Sequence, residues 1–219
     1  MIELKNVCLG YNKEYYALCN ITLKIEDGER VALVGEEGSG KTALLRLIAG
    51  LDKHSEGEVF INGMSIDKVD FLTDVSLGYL SSKAVFFENK TVEKNLAWAL
   101  KVHKVPKQEW NDKIDFVLNE FKLSHLKKER VGRLSKSDRR LVQIARLALR
   151  PLDILLCDDL EEGNDIKTLP KIKNALKILL SCETMEKIFI MACKSLDGYS
   201  DFVDTSVKLN SGSIEVEDK

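Results

Sequence analysis

The 219-residue sequence has no excess of either charge: Lys plus Arg number 33 against 35 for Asp plus Glu, a formal net charge of −2. A nucleic-acid-binding chain normally carries a strong basic excess, so no nucleic-acid partner is expected. The local pairs Lys127-Lys128 and Arg139-Arg140 read as solvated helix faces. Long apolar runs are missing too. The longest, Val31 to Val34 and Ile154 to Cys157, are strand-sized, far short of the ~20 residues a membrane-spanning helix needs. Met1-Ile2-Glu3-Leu4 shows no basic segment leading into an apolar one, so no secretory signal peptide is expected. Cysteine is sparse and unpatterned: five residues, at 8, 19, 157, 182 and 193, with no C-x-x-C spacing. That argues against a disulfide framework or a zinc site and fits a reducing cytosol. Linkers, low-complexity tracts and internal repeats are absent as well.

What is present suits one large core: 44% of residues are hydrophobic and 31% charged. Ile2 to Tyr11 and Ile21 to Ile25 alternate apolar with polar residues, as half-buried strands do. Asp27-Gly28 signals a turn before the apolar strand Val31 to Val34, and Val59, Phe60 and Ile61 form a short strand between Gly57 and Gly63. From Thr91 to about Arg130 the period becomes helical, with Ile114, Val117, Leu118 and Phe121 on one face. A second helix is predicted from Ser137 to Leu149, then a strand at Ile154 to Cys157, a helix carrying Ile172, Ala175, Leu176 and Leu179, and a strand at Ile188 to Ala192. Val207 to Val216, with Asn210-Ser211-Gly212 at its middle, reads as a terminal hairpin. The expectation is a single α/β domain over 1–219 with a helical insertion at roughly 83–150.

Gly35-Glu36-Glu37-Gly38-Ser39-Gly40-Lys41-Thr42 matches G-x-x-x-x-G-K-[ST] without a mismatch, between an apolar strand and a helix. Glycines there let consecutive backbone N–H groups approach phosphate oxygens, and the helix N-terminus adds unpaired donors. Lys41 is expected to reach the β- and γ-phosphates of ATP and Thr42 to ligate Mg²⁺. Glu36 and Glu37 are tolerable beside such an anion only if both side chains point to solvent. Asp158, closing the strand Ile154 to Cys157, is the second metal-ligand candidate, in the Walker B arrangement. A GTPase reading lacks a well-placed N-K-x-D.

Val85 to Leu96, Leu134-Ser135 followed by Arg140 to Arg146, and Arg150 to Asp158 resemble, in that order, the segment after the Q-loop, the signature motif with its helix, and the approach to Walker B of ABC transporter ATPases. With the phosphate loop and the end hairpin, the resemblance covers essentially the whole chain. It implies a P-loop NTPase core of mainly parallel sheet with an antiparallel β subdomain and a helical subdomain. It further implies that Tyr11 stacks on adenine, with Tyr15 and Tyr16 as rivals. Two cassettes then close head to tail, as homodimer or heterodimer, each Ser135 serving the other's ATP, and drive a separate transmembrane permease chain. The chain is accordingly placed on the cytoplasmic, inner face of the cell membrane, held there through the permease. No regulatory domain is expected after the hairpin.

The catalytic positions depart from that family. The glutamate after the Walker B aspartate is Asp159, the Q-loop glutamine falls on Ser82, and the switch histidine falls on Cys193. Leu134-Ser135-Lys136-Ser137-Asp138 replaces L-S-G-G-Q, and the same residues read equally as a capping box that starts a helix. Ala43 lacks a second hydroxyl in the phosphate loop, and Asp165 of the D-loop follows the atypical Gly163-Asn164. Three readings follow: an ATP-binding transporter subunit with slow or absent hydrolysis, an active transport ATPase with a rewired site, or a nucleotide-binding regulator that keeps the fold.

Overall fold

The computed structural model describes residues 1–10, 16–160, 168–181 and 188–215. In chain order the principal elements are β1 (Ile2–Gly10), β2 (Tyr16–Ile25), β3 (Arg30–Val34), α1 (Lys41–Ile48), β4 (Glu56–Ile61), β5 (Met64–Ser65), β6 (Leu77–Leu80), α2 (Val92–Val102), α3 (Trp110–Glu120), α4 (Lys136–Leu147), β7 (Ile154–Cys157), α5 (Leu169–Ser181), β8 (Ile188–Cys193), β9 (Thr205–Asn210) and β10 (Ser213–Ile214). They form two compact units. One comprises Met1–Tyr79, Leu152–Asp159 and Met185–Lys219; the other comprises Leu80–Pro151 and Leu160–Thr184. Among the described residues no helix is long and apolar enough to cross a membrane.

The first unit carries two sheets, a four-stranded antiparallel one in the order β2-β1-β4-β5 and a six-stranded one in the order β10-β9-β3-β8-β7-β6. In the larger sheet β8 pairs in parallel with both β3 and β7, Val34 lying opposite Cys193 and Cys157 opposite Met191. Every residue of β7 and β8 is buried, which is why they read as continuous apolar runs rather than alternations: both faces of a parallel sheet are covered. Leu4, Leu18 and Ile25 of the small sheet share one core with Leu44 and Leu47 of α1 and Leu33 and Ile190 of the large sheet. Each such side chain contributes about 1.5–3 kcal/mol on full burial.

Two strands escape the sequence patterns. β5 has two residues and β6 reads Leu-Gly-Tyr-Leu, too short and too interrupted by glycine to display a period. The end hairpin turns through Ser211 (φ 47°) and Gly212 (φ 81°), positive at both central positions as the tight turn between twisted strands requires.

In the second unit, α3 buries Ile114, Val117 and Leu118, and α5 buries Ile172, Ala175, Leu176 and Leu179, the faces their spacing predicts. The Thr91 hydroxyl caps α2 by accepting from the Lys94 N–H. Buried Asn95 holds the segment before that helix by accepting from the Phe87 N–H at 2.8 Å and donating to the carbonyls of Phe87 and Thr91 at 3.2 and 3.0 Å.

Candidate functional site

The larger sheet brings the tips of three neighbouring parallel strands together, where open α/β sheets hold their ligands. β3 leads into the phosphate loop, β7 into Asp158 and Asp159, and β8 ends at buried Cys193. The Gly35 N–H donates to the Cys193 carbonyl at 3.3 Å, fixing the loop's start to the tip of β8.

The loop needs its glycines for two different reasons. A Cβ on Gly35 would stand 2.3 Å from the Leu209 carbonyl oxygen, so this position is closed by packing. Gly38 has φ of +80° and nothing within 4 Å of where a Cβ would lie, which leaves open space for a ligand. Gly40, at φ 102°, is the N-cap of α1 and supplies no capping side chain, and no acidic residue lies in the first turn. The positive end of the helix dipole thus meets no acidic side chain from its own first turn. Glu36 and Glu37 are exposed, the condition their charge demands, whereas Ser39 and Ala43 are buried.

The Lys41 ammonium folds back over the loop, donating to the carbonyls of Gly35 and Glu36 at 2.6 and 2.7 Å and to Ser39 Oγ at 3.0 Å. Burial pushes its pKa below the ordinary lysine value, with the negative charge of Asp159 the largest influence opposing that shift. Thr42 Oγ1 donates to Asp158 Oδ1 at 2.9 Å across 116 positions of sequence. The other oxygen of that carboxylate, Oδ2, accepts from the Tyr79 hydroxyl at 3.1 Å. Asp158 is only 4% exposed. Burial first, and the adjacent carboxylate second, push the Tyr79 phenol above its usual pKa, so it remains a donor. Tyr79 is a site residue that sequence reasoning missed. The signal is faint: a polar-tipped aromatic on a four-residue strand, with its partner on another strand.

A hydroxyl and a carboxylate oxygen in contact are hard donors of the type Mg²⁺ takes, while the loop and Lys41 offer donors to phosphate. The residues present therefore fit Mg-ATP. Asp159 sits beside Asp158 with its backbone in the left-handed region, φ 34°, a conformation that Asp tolerates better than most residues.

Ser82 and Ser135 belong to the second unit. Ser82 follows β6 by two positions, next to a carbonyl held from two sides: buried Arg140 donates through Nη1 to the Ser81 oxygen, and Gln143 Nε2 reaches the same oxygen at 3.3 Å. Arg140 Nη1 also donates to Gln143 Oε1 at 3.0 Å. Ser135 is the N-cap of α4, its Oγ accepting from the Asp138 N–H at 3.1 Å and donating to Asp138 Oδ2 at 2.7 Å. The helix-capping role is thus present. The reciprocal bond reaches the hydroxyl rather than the backbone N–H of a standard capping box. Tyr11, its rival Tyr15 and the D-loop Asp165 lie outside the described residues.

Comparison with known proteins places this geometry. Residues 18–161 match the protein-family model described as ABC transporter. The sulfate/thiosulfate import ATP-binding protein CysA of Synechocystis is 30% identical over 98% of this chain and 59% of its own length. The molybdate/tungstate import ATP-binding protein WtpC of Thermococcus kodakarensis is 35% identical over 77% of this chain and 51% of its own. The chain thus spans little more than half the length of these curated relatives. Among solved structures, the ATP-binding cassette MJ0796, dimeric and bound to ADP and Pi in a post-hydrolysis state, superposes with a TM-score of 0.84 at 27% identity, covering 100% of this chain and 98% of that one.

Proposed function

This chain belongs to the ABC transporter family, and on that premise we propose that it binds Mg-ATP at the Gly35–Thr42 loop, pairs head to tail with a second cassette, and gates a membrane permease carried on a separate chain, with slow hydrolysis. The Thr42–Asp158 contact carries the reading. It sets the loop's hydroxyl against the carboxylate that closes β7, a donor pair for one metal ion. Bound Mg²⁺ supplies neutralisation of phosphate charge. The chain's own contributions are the Gly38–Thr42 backbone donors, the Lys41 ammonium, and Tyr79 holding the Asp158 carboxylate in orientation. The relatives are import cassettes for chemically different cargoes, which supports the importer type and no particular cargo.

Slow hydrolysis follows from three substitutions at sequence positions that the family resemblance makes catalytic. Asp159 is one methylene shorter than glutamate, and ~1 Å of misplacement can cost ~10²-fold in rate. Cys193 offers a thiol where an imidazole would donate to the γ-phosphate, and losing one such donor costs about 10²–10³. Ser82 is shorter than the glutamine it replaces. These losses do not multiply, because the residues act as a unit. Equilibrium titration with ATP and Mg²⁺ tests the binding half. Lys41→Ala is expected to abolish binding, and an unchanged affinity defeats the loop assignment. Turnover near the common enzyme median of about 10 s⁻¹, lost on Asp159→Asn, overturns the slow-hydrolysis half.

A further inference from the structure

Cys8 and Cys19 are eleven positions apart and show no motif spacing, yet the small sheet makes them partners. The register of β1 against β2 runs Val7 with Ile21 and then Leu9 with Leu18, so two β2 residues, Cys19 and Asn20, stand opposite the single residue Cys8. This is a β-bulge, and Asn20 takes the left-handed conformation, φ 53°, that such an irregularity uses. Its effect is to set Cys19 across the strand pair from Cys8. The Asn20 N–H donates to Cys8 Sγ at 3.2 Å, and the neighbouring Cys8 pushes the Cys19 thiol above its ordinary pKa. Directly opposed residues in antiparallel strands have Cα atoms about 4.5–5.5 Å apart, within the about 4.4–6.8 Å span that a disulfide bridges. Cys19 is exposed and Cys8 is buried, the division between an accessible thiol that meets a reagent and a sheltered one that resolves the product.

The pair is also wired to the phosphate loop. On the far edge of β2, away from β1, the Cys19 N–H donates to the Gly212 carbonyl at 2.8 Å and the Cys19 carbonyl accepts from Ser213 Oγ at 3.3 Å. Gly212 in turn donates its N–H to the Ser39 carbonyl at 3.1 Å. A Cβ on Gly40 would lie 2.8 Å from the Ala17 carbonyl oxygen and 3.3 Å from Gly212 Cα. The segment 17–19, the hairpin turn and the loop glycines are therefore in direct contact.

We propose that Cys8 and Cys19 form a reversible dithiol–disulfide site that takes a low-molecular-weight disulfide as its oxidant and weakens nucleotide binding when oxidised; the second part rests on the Mg-ATP reading above. Cys19, having lost its proton to solvent, attacks one sulfur of RSSR; that S–S bond breaks, RS⁻ leaves and takes up a proton. The Cys8 thiolate then attacks the Cys19 sulfur of the mixed disulfide, expelling a second RS⁻. RSSR is reduced to two RSH, and the dithiol gives up two electrons and two protons. Bridging brings the two sulfurs to about 2.05 Å, and the part of that shift which side-chain rotation does not absorb falls on the Cys19 backbone, whose N–H and carbonyl are held by Gly212 and Ser213. The Cys19–Gly212–Ser39 chain of hydrogen bonds loosens, and the loop's backbone donors lose their fixed aim.

The test equilibrates the full chain in glutathione buffers of stepped redox ratio, traps thiols by alkylation, and maps the linkage by peptide mass spectrometry. ATP affinity is read in parallel for the wild type and for Cys19→Ser. The expected result is a Cys8–Cys19 link that reverses with excess reduced glutathione and an ATP affinity on the order of fivefold or more weaker in the oxidised protein. That difference is absent in Cys19→Ser. By reciprocity, saturating Mg-ATP shifts the dithiol–disulfide equilibrium toward dithiol by the same factor. Absence of the link at every ratio, or a link that leaves ATP affinity unchanged, overturns the proposal. Reduced wild-type protein that binds no ATP refutes the phosphate-loop reading, and the coupling with it, while the disulfide map still stands or falls by itself.

Discussion

Replacing Tyr79 by Phe removes one oxygen and leaves the ring, so it isolates what the hydroxyl does for Asp158. The bond to Asp158 Oδ2 is 3.1 Å long, at the weak end for an O–H···O contact, whereas hydrogen bonds to a charged group are worth about 1.5–3 kcal/mol. The lower figure, about 1.5 kcal/mol, corresponds to about tenfold in an equilibrium constant. Loss of a residue that orients a metal ligand costs about 10–100-fold in metal affinity, so the two routes agree near tenfold. The assay is a Mg²⁺ titration of ATP-analogue binding at fixed analogue. Tyr79→Phe is expected to raise the Mg²⁺ midpoint about tenfold while metal-free nucleotide affinity, carried by the loop and Lys41, stays near wild type. An unmoved midpoint refutes the positioning role. A metal-free affinity that falls in step reassigns Tyr79 to general packing. The pH behaviour follows from the upward shift of the phenol. A group whose folded pKa is raised contributes stability that is fully present below its unfolded value, about 10 for tyrosine, and lost as pH climbs through the higher folded value. The Tyr79 effect on Mg²⁺ should therefore be flat from neutrality to about pH 10.

The remaining predictions concern the cap, the loop and the Asp159 carboxylate. Ser135→Ala should lower stability to urea by about 1 kcal/mol and Ser135→Gly by only a few tenths; equal costs would remove the capping role seen in its bond from the Asp138 N–H. Gly40→Ala should destabilise the fold more than Gly38→Ala, since both have positive φ but only Gly40 has a carbonyl oxygen, that of Ala17, 2.8 Å from the added atom. Thermal unfolding with and without Mg-ATP checks this, with Gly38→Ala expected to lose mainly the nucleotide-dependent increment. Asp159→Glu should raise turnover by no more than about tenfold, because Cys193 and Ser82 remain and such residues act as a unit; a gain of about 10² would show that the missing methylene alone was limiting.

The parts of this fold that were legible in the sequence are those whose partners are close along the chain. The phosphate loop is a contiguous motif, the faces of α3 and α5 repeat every turn, and Asp138 lies three residues after the serine it caps. Tyr79 and Asp158 are 79 positions apart, and no local period links them. Arg140 and Gln143 sit among the apolar residues of a helix whose outline was recognisable, but their shared hold on the Ser81 carbonyl depends on a strand too short to be read. The cysteines are the sharpest case. An odd count without motif spacing argues against disulfides, and that inference is sound for a structural framework. It is silent about two cysteines that a one-residue slip in strand register sets opposite each other.

The position of Lys41 bears on what a slow cassette can do. Its ammonium is held by three neutral acceptors of its own loop, and an anionic phosphate oxygen adds charge–charge attraction that those acceptors lack. Nucleotide entry therefore exchanges weaker partners for stronger ones, and the two loop carbonyls and Ser39 Oγ recapture the lysine as the nucleotide leaves. Where hydrolysis is fast, such recapture matters little, because chemistry ends the bound state. Where hydrolysis is slow, the lifetime of the closed state is the nucleotide's own residence time, and each group competing for Lys41 shortens it. On the slow-hydrolysis proposal, such a cassette would be tuned through its phosphate loop, by how firmly Gly35, Glu36 and Ser39 hold the lysine, rather than through the carboxylate of Asp159.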